Sequence, residues 1–156
     1  MTRSITVMNI IDFFESPEQE HWLGEIAKSD WRAADFLVKL IKENTFEEHW
    51  GKGGKLFILA DGEKAASFAT LCQKDCIEDD SLYPWIGFVY TFPEYRGRRL
   101  MGILISHAIE ESQKHGVKRV YICTDHTGLY EKYGFTYMKS RPDIWGEISR
   151  IYYKDI

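Results

Sequence analysis

The first apolar run, Ile5 to Ile11, predicts an edge strand. Ser16-Pro17-Glu18-Gln19 predicts a helix start, with Ser16 as the cap, Pro17 at the first helical position and Gln19 closing a capping box. Trp22, Leu23, Ile26 and Ala27 give that helix an apolar face. After a cap at Asp30, Ala33, Ala34, Leu37, Val38 and Ile41 recur at helical spacing and predict a second helix. Beyond the glycines at 51, 53 and 54 the pattern turns to strands. KLFILA (55–60), a turn at Asp61-Gly62 and AASFATLCQ (65–73) predict a hairpin. PWIGFVYTF (84–92) is apolar nearly throughout, as a strand covered on both faces is.

A long helix is predicted from about Arg98 to His115, with Leu100, Leu104 and Ala108 in one apolar row and Met101, Ile105 and Ile109 in the next. Gly116 suits the position past its end, and Lys114 and His115 suit the negative end of its dipole. VKRVYICT (117–124) is the next strand, so strand, helix and strand make a βαβ unit with a parallel pair. A short helix at Gly128–Tyr133 and strands near Phe135–Lys139 and Ile148–Lys154 complete the chain. The expected fold is α/β (α+β): a mixed, mostly antiparallel sheet of about seven strands, helices on both faces and a central parallel βαβ unit. Residues 1–156 read as one domain.

Composition narrows the function classes. The net charge of −4 disfavours a general nucleic-acid binder. Asn9, Asp12 and Glu15 break the N-terminal apolar residues, which therefore do not read as a signal peptide, and no run is long enough to span a membrane. A cytoplasmic protein is expected, with Cys72, Cys76 and Cys123 as free thiols and no metal site.

Chemistry concentrates at PEYRGRRLMG (93–102). A strand ends there, and Arg96-Gly97-Arg98-Arg99 leads directly into the long helix. The leading amides of a helix lack partners and carry partial positive charge, so they bind phosphate oxygens. Gly97 admits close approach of a ligand to the backbone, and the arginines add charge. This is a candidate pyrophosphate cradle with neither Walker nor dinucleotide spacing.

PEYRGRRLMG resembles the coenzyme A motif of the GNAT superfamily of N-acetyltransferases, which runs Arg/Gln, two residues, Gly, one residue, Gly/Ala. Arg96, Gly97 and Arg98 match its first places. Arg99 and Met101 stand where the two motif glycines usually do, and Gly102 follows one place late. GLYEKYGF (128–135) resembles the second signature of the family, with Tyr133 in place of a leucine. The resemblance implies an acyltransferase that moves an acetyl group from acetyl-CoA to a primary amine, such as that of a small molecule, by direct attack on the thioester. It implies that Arg96, Gly97, Arg98, Arg99, Leu100, Met101 and Gly102 hold the coenzyme and that Val89 and Thr91 align its pantetheine arm. It implies that Tyr130 protonates the departing thiolate. Relatives are often dimers, so a homodimer is also in view.

An amine is mostly protonated at neutral pH, so a base is needed. Residues 84–92 offer no carboxylate, which leaves Asp75, Asp79 and His126 as candidates. Asp75 to Asp80 reads first as a solvated acidic loop that attracts cationic acceptors. Five tryptophans are many for this length; most read as core, and some as walls of an acceptor pocket. Two rival readings are a non-catalytic acyl-CoA-binding module on the same fold and a nucleic-acid-binding domain using Arg96, Arg98, Arg99, Lys118 and Arg119.

Overall fold

The computed structural model describes residues 8–156, so the part of the predicted first strand before Met8 lies outside it. Strand β1 (Met8–Asp12) leads through a helical turn to α1 (Gln19–Ala27), α2 (Arg32–Lys42) and α3 (Phe46–Trp50). Strands β2 (Lys55–Asp61), β3 (Lys64–Cys72) and β4 (Trp85–Thr91) follow, then the long helix α4 (Leu100–Lys114). Strand β5 (Arg119–Thr124), a helical turn at Tyr130–Tyr133, β6 (Thr136–Pro142) and β7 (Ile148–Asp155) end the chain. The seven strands form one sheet in the order β1-β2-β3-β4-β5-β7-β6. Every neighbouring pair is antiparallel except β4 and β5.

Two helix starts differ from the sequence expectation. α1 begins at Gln19 without a capping box: Ser16 Oγ accepts the Glu18 N–H (3.1 Å), and the Gln19 side chain reaches back to the Phe14 carbonyl (3.2 Å). Ser16 and Pro17 thus shape a turn before the helix. Trp31, not Asp30, stands at the start of α2, where extended backbone holds its side chain against the sheet. The short helix α3 carries too little periodic sequence to have been expected.

Helices pack on both faces. On one, Leu100, Leu104, Ile105 and Ala108 of α4 bury against Phe57, Ile86 and Val120. On the other, Trp22, Ile26, Leu37 and Trp50 of the first three helices cover Ile58 and Phe68. Glu25 of α1 is buried among them at 7% exposure because its Oε1 accepts the Ala65 N–H (3.0 Å) at an irregularity in the β2–β3 pairing. Burial alone would raise its carboxyl pKa, but Lys28 and the Ala65 amide outweigh that and hold it below its usual range. Glu25→Ala orphans the amide. It is expected to cost about 1–3 kcal/mol, read as a lower urea midpoint, with Glu25→Gln costing less because it keeps an acceptor.

The feature that positions the site is where β4 leaves β5. The two strands are in register only at Trp85 and Tyr121, where the Tyr121 N–H donates to the Pro84 carbonyl (3.0 Å). Against β3, Gly87 pairs with Thr70 but Tyr90 pairs with Phe68, so β4 holds one extra residue between them. This bulge, with Phe88 at φ 45°, bends β4 as it parts from β5 and opens a wedge in the middle of the sheet.

Candidate active site

The wedge is lined by Ile86, Gly87, Phe88 and Val89 from β4 and by Ile122, Cys123 and Thr124 from β5, and it encloses a cavity of about 420 Å³. Tyr130 closes one part of its wall and Trp145 another. A second cleft of about 670 Å³ lies between the end of β4 and the start of α4, lined by Val89, Thr91, Arg96, Gly97, Arg99, Leu100 and Met101 among others. The two spaces share Trp31, Val89, Met101 and His126, so the cleft runs into the wedge.

The residues of the cleft could hold an anion. Gly97 takes φ 83° with open space where a Cβ would sit, so the backbone there is accessible. Arg99 takes left-handed backbone (φ 56°, ψ 32°) at the N-cap of α4, a conformation glycine adopts more cheaply. No acidic residue stands in the first turn of the helix to occupy its leading amides. Among the described residues none of the three arginines is in an ion pair. Arg96 Nε donates to the Thr91 carbonyl (2.9 Å) and ties the loop to the end of β4. Arg98 lies over the Tyr95 ring. The Tyr95 hydroxyl donates to Asp61 (2.6 Å), and that bond, with burial, pushes its pKa up to about 12.

The structure brings most of the residues named from sequence together, but not all. Arg98 and Gly102 do not line the cleft. Gly102 lies one turn into α4, where an added Cβ would stand 2.8 Å from the Tyr133 ring, so its place is a packing position between α4 and the Tyr130–Tyr133 turn. His126 is exposed on the wall shared by both spaces. Trp31 stacks on Tyr90 (5.4 Å, 14°), and both line the cleft. Trp22, Trp50 and Trp85 are core.

Residues 13–135 match the model of the Acetyltransferase (GNAT) family. The chain belongs to this family. It is therefore an acyltransferase by class, on a fold shared with many GNAT structures. An acetyltransferase from Streptococcus agalactiae superposes with a TM-score of 0.68 at 20% identity, covering 96% of this chain and 98% of that one. A GNAT family acetyltransferase from Elizabethkingia anophelis, solved with acetyl-CoA bound, gives 0.65 at 14% identity over 96% and 98%. The ribosomal-protein-S18-alanine N-acetyltransferase of Escherichia coli gives 0.65 at 20% identity over 96% and 94%. No curated protein matches the sequence. At these identities the likeness is one of fold. Among the described residues no helix is long and apolar enough to cross a membrane.

Proposed function

We propose that this GNAT protein transfers the acetyl group of acetyl-CoA to the primary amine of a small molecule, by direct attack of the amine on the thioester in the wedge. The observation that carries the reading is the continuity of the two spaces. An anion cradle at the start of α4 opens into a cavity beside Tyr130 at the point where β4 leaves β5. The accessible Gly97 backbone, the leading amides of α4 and Arg99 would hold the diphosphate, with Val89 and Thr91 along the arm. Acetyl-CoA supplies an acyl carbon activated by a good leaving group. The chain's own part is to exclude water, orient the amine and manage protons. Tyr130 would donate to the departing sulfur. Trp31 and Trp145 would wall the acceptor. The carboxylates of Glu48, Glu78, Asp79 and Asp80 outside the wedge favour a cationic acceptor. Three free cysteines fit a reducing compartment such as the cytoplasm.

The test is the thermal midpoint with acetyl-CoA, NADH or ATP. At 100 times its Kd a ligand adds about 2.7 kcal/mol to the folded state. For this size that is a rise of roughly 5–10 °C. Acetyl-CoA alone is expected to give it, and amine-dependent thiol release should follow. No shift at millimolar acetyl-CoA overturns the reading.

A further inference from the structure

Strand β4 carries no carboxylate, yet one reaches it from outside. Asp75 sits in the loop between β3 and β4, and its Oδ2 lies 2.3 Å from where a Cβ on Gly87 would stand. Thr70 Oγ1, on β3, is 3.1 Å from the same point. The carboxylate thus fills the side-chain space that Gly87 leaves empty on the strand. Its Oδ1 accepts the Cys76 N–H (2.8 Å), while among the described residues nothing donates to Oδ2. An Asp75 oxygen and the sulfurs of Cys76 and Cys123 all lie within 4.8 Å of one another, and Gly87, both cysteines and Tyr130 line the wedge cavity. Asp75 is half-buried and does not itself line that cavity; it stands directly behind Gly87, which does. Its other side meets a recess of about 510 Å³ that also holds Glu48, Glu78, Asp79 and Asp80.

We propose that Asp75 is the catalytic base: it takes the proton from the attacking amine, delivered from the β3–β4 loop through the gap at Gly87. This rests on the acetyl-transfer reading above. An acceptor that arrives as an ammonium first loses a proton to solvent by way of Asp75 and the acidic recess. Attack then forms the N–C bond and breaks the C–S bond. The proton leaving nitrogen goes to Asp75, and Tyr130 gives one to the departing sulfur. Return of the Asp75 proton to Tyr130 leaves both groups as they began, so the transfer balances.

Burial pushes the Asp75 carboxyl up to about 7, against the pull of the Cys76 N–H, so it is ready to accept a proton near neutral pH. The titratable groups around it are Cys72 on β3, Cys76 in its own loop, Cys123 on β5 and Tyr130 on the turn before β6. Glu48, His49, Lys74, Glu78, Asp79 and Asp80 surround the outer recess. Burial and then the Cys123 and Asp75 charges raise the Tyr130 pKa. Protonation of Asp75 removes its share of that, so accepting the amine proton makes Tyr130 the better donor when the sulfur needs one.

The test compares wild type, Asp75→Asn and Gly87→Ala in thiol release between pH 5.5 and 9, in acetyl-CoA midpoint shift, and in midpoint against pH without ligand. Wild-type kcat/KM is expected to rise through about pH 7. Asp75→Asn should lose that limb and about 100-fold or more in kcat, and keep the acetyl-CoA shift. A Cβ at 87 displaces the carboxylate, so Gly87→Ala should lose a similar factor, and the double variant should lose no more than Asp75→Asn alone.

The stability arm needs no acceptor. The folded pKa lies above the unfolded one, so the native state binds the extra proton and wild-type stability falls as pH rises from about 4 to about 7. Asp75→Asn should therefore melt higher than wild type at pH 8, with the gain fading by pH 5. An Asp75 that stabilised the fold as a carboxylate would give the reverse. Wild-type kcat in Asp75→Asn, or a lower midpoint at pH 8, overturns the base alone. A wild-type protein without an acetyl-CoA shift overturns the function reading, and the base with it.

Discussion

Tyr130→Phe is expected to lower kcat by about 100-fold or more while leaving the acetyl-CoA midpoint shift intact. Tyr130 is 6% exposed, and its ring packs with Phe135 in the α4-side core, so phenylalanine keeps the packing. Among the described residues its hydroxyl has no hydrogen-bond partner, and its removal orphans nothing in the protein. The residue lines the wedge but not the cleft at the start of α4, so coenzyme affinity should not follow kcat down. Burial first, then neighbouring charge, raises its pKa above the ordinary tyrosine value. It is therefore neutral throughout the working range and adds no limb of its own to the pH profile below about 10. Its contribution is confined to the step in which the sulfur gains charge. The measurement is kcat and KM by thiol release, with the midpoint of the ligand-free protein alongside. Unchanged kcat with a slightly lowered midpoint would make Tyr130 a core residue and nothing more.

Much of this was legible in the sequence because it depends on local chemistry. Apolar periodicity gave α4 and the strands on either side of it, and the arginine and glycine cluster stands where the cleft at the start of α4 lies. What was not legible depends on registers and distant contacts. The bulge in β4 has no sequence signature: Phe88 at positive φ is set by pairing with β3, not by a glycine. Gly87 reads as a weak spot in a strand, and only the fold shows that Asp75 fills its place. The acidic run that contains Asp75 looks uniform in sequence, yet it divides into residues facing solvent and one turned against the sheet. Gly102 follows the motif directly in sequence, although its neighbour in space is Tyr133, some 30 residues on. Trp31 and Trp145 could not be separated from the core tryptophans by composition. Their places on the wedge wall follow from where the start of α2 and the β6–β7 connection lie.

The largest expected loss of stability is at the apex of the wedge. Trp85→Ala should cost about 3–5 kcal/mol, a large share of the roughly 5–15 kcal/mol that holds an ordinary domain together. Trp85 is 1% exposed, its Nε1–H donates to the Leu82 carbonyl (2.7 Å), and its ring lies 5.5 Å from that of Tyr121. Those two residues form the sole register pair between β4 and β5, so the indole closes the sheet where the wedge begins to open. It also packs against Cys76 and Ile77, and through them supports the loop that carries Asp75. The variant should therefore melt roughly 6–20 °C lower. It should also lose kcat beyond what the unfolded fraction explains, because the loop beside Gly87 loses its backing. Trp85→Phe keeps an aromatic ring there and should lose much less of both, although the Leu82 carbonyl gives up its donor. Saturating acetyl-CoA should recover part of the midpoint, since it binds only the folded state. A fall of only a degree or two would show that the β4–β5 junction is held by the strands around it, and the geometry of the wedge would then need another cause.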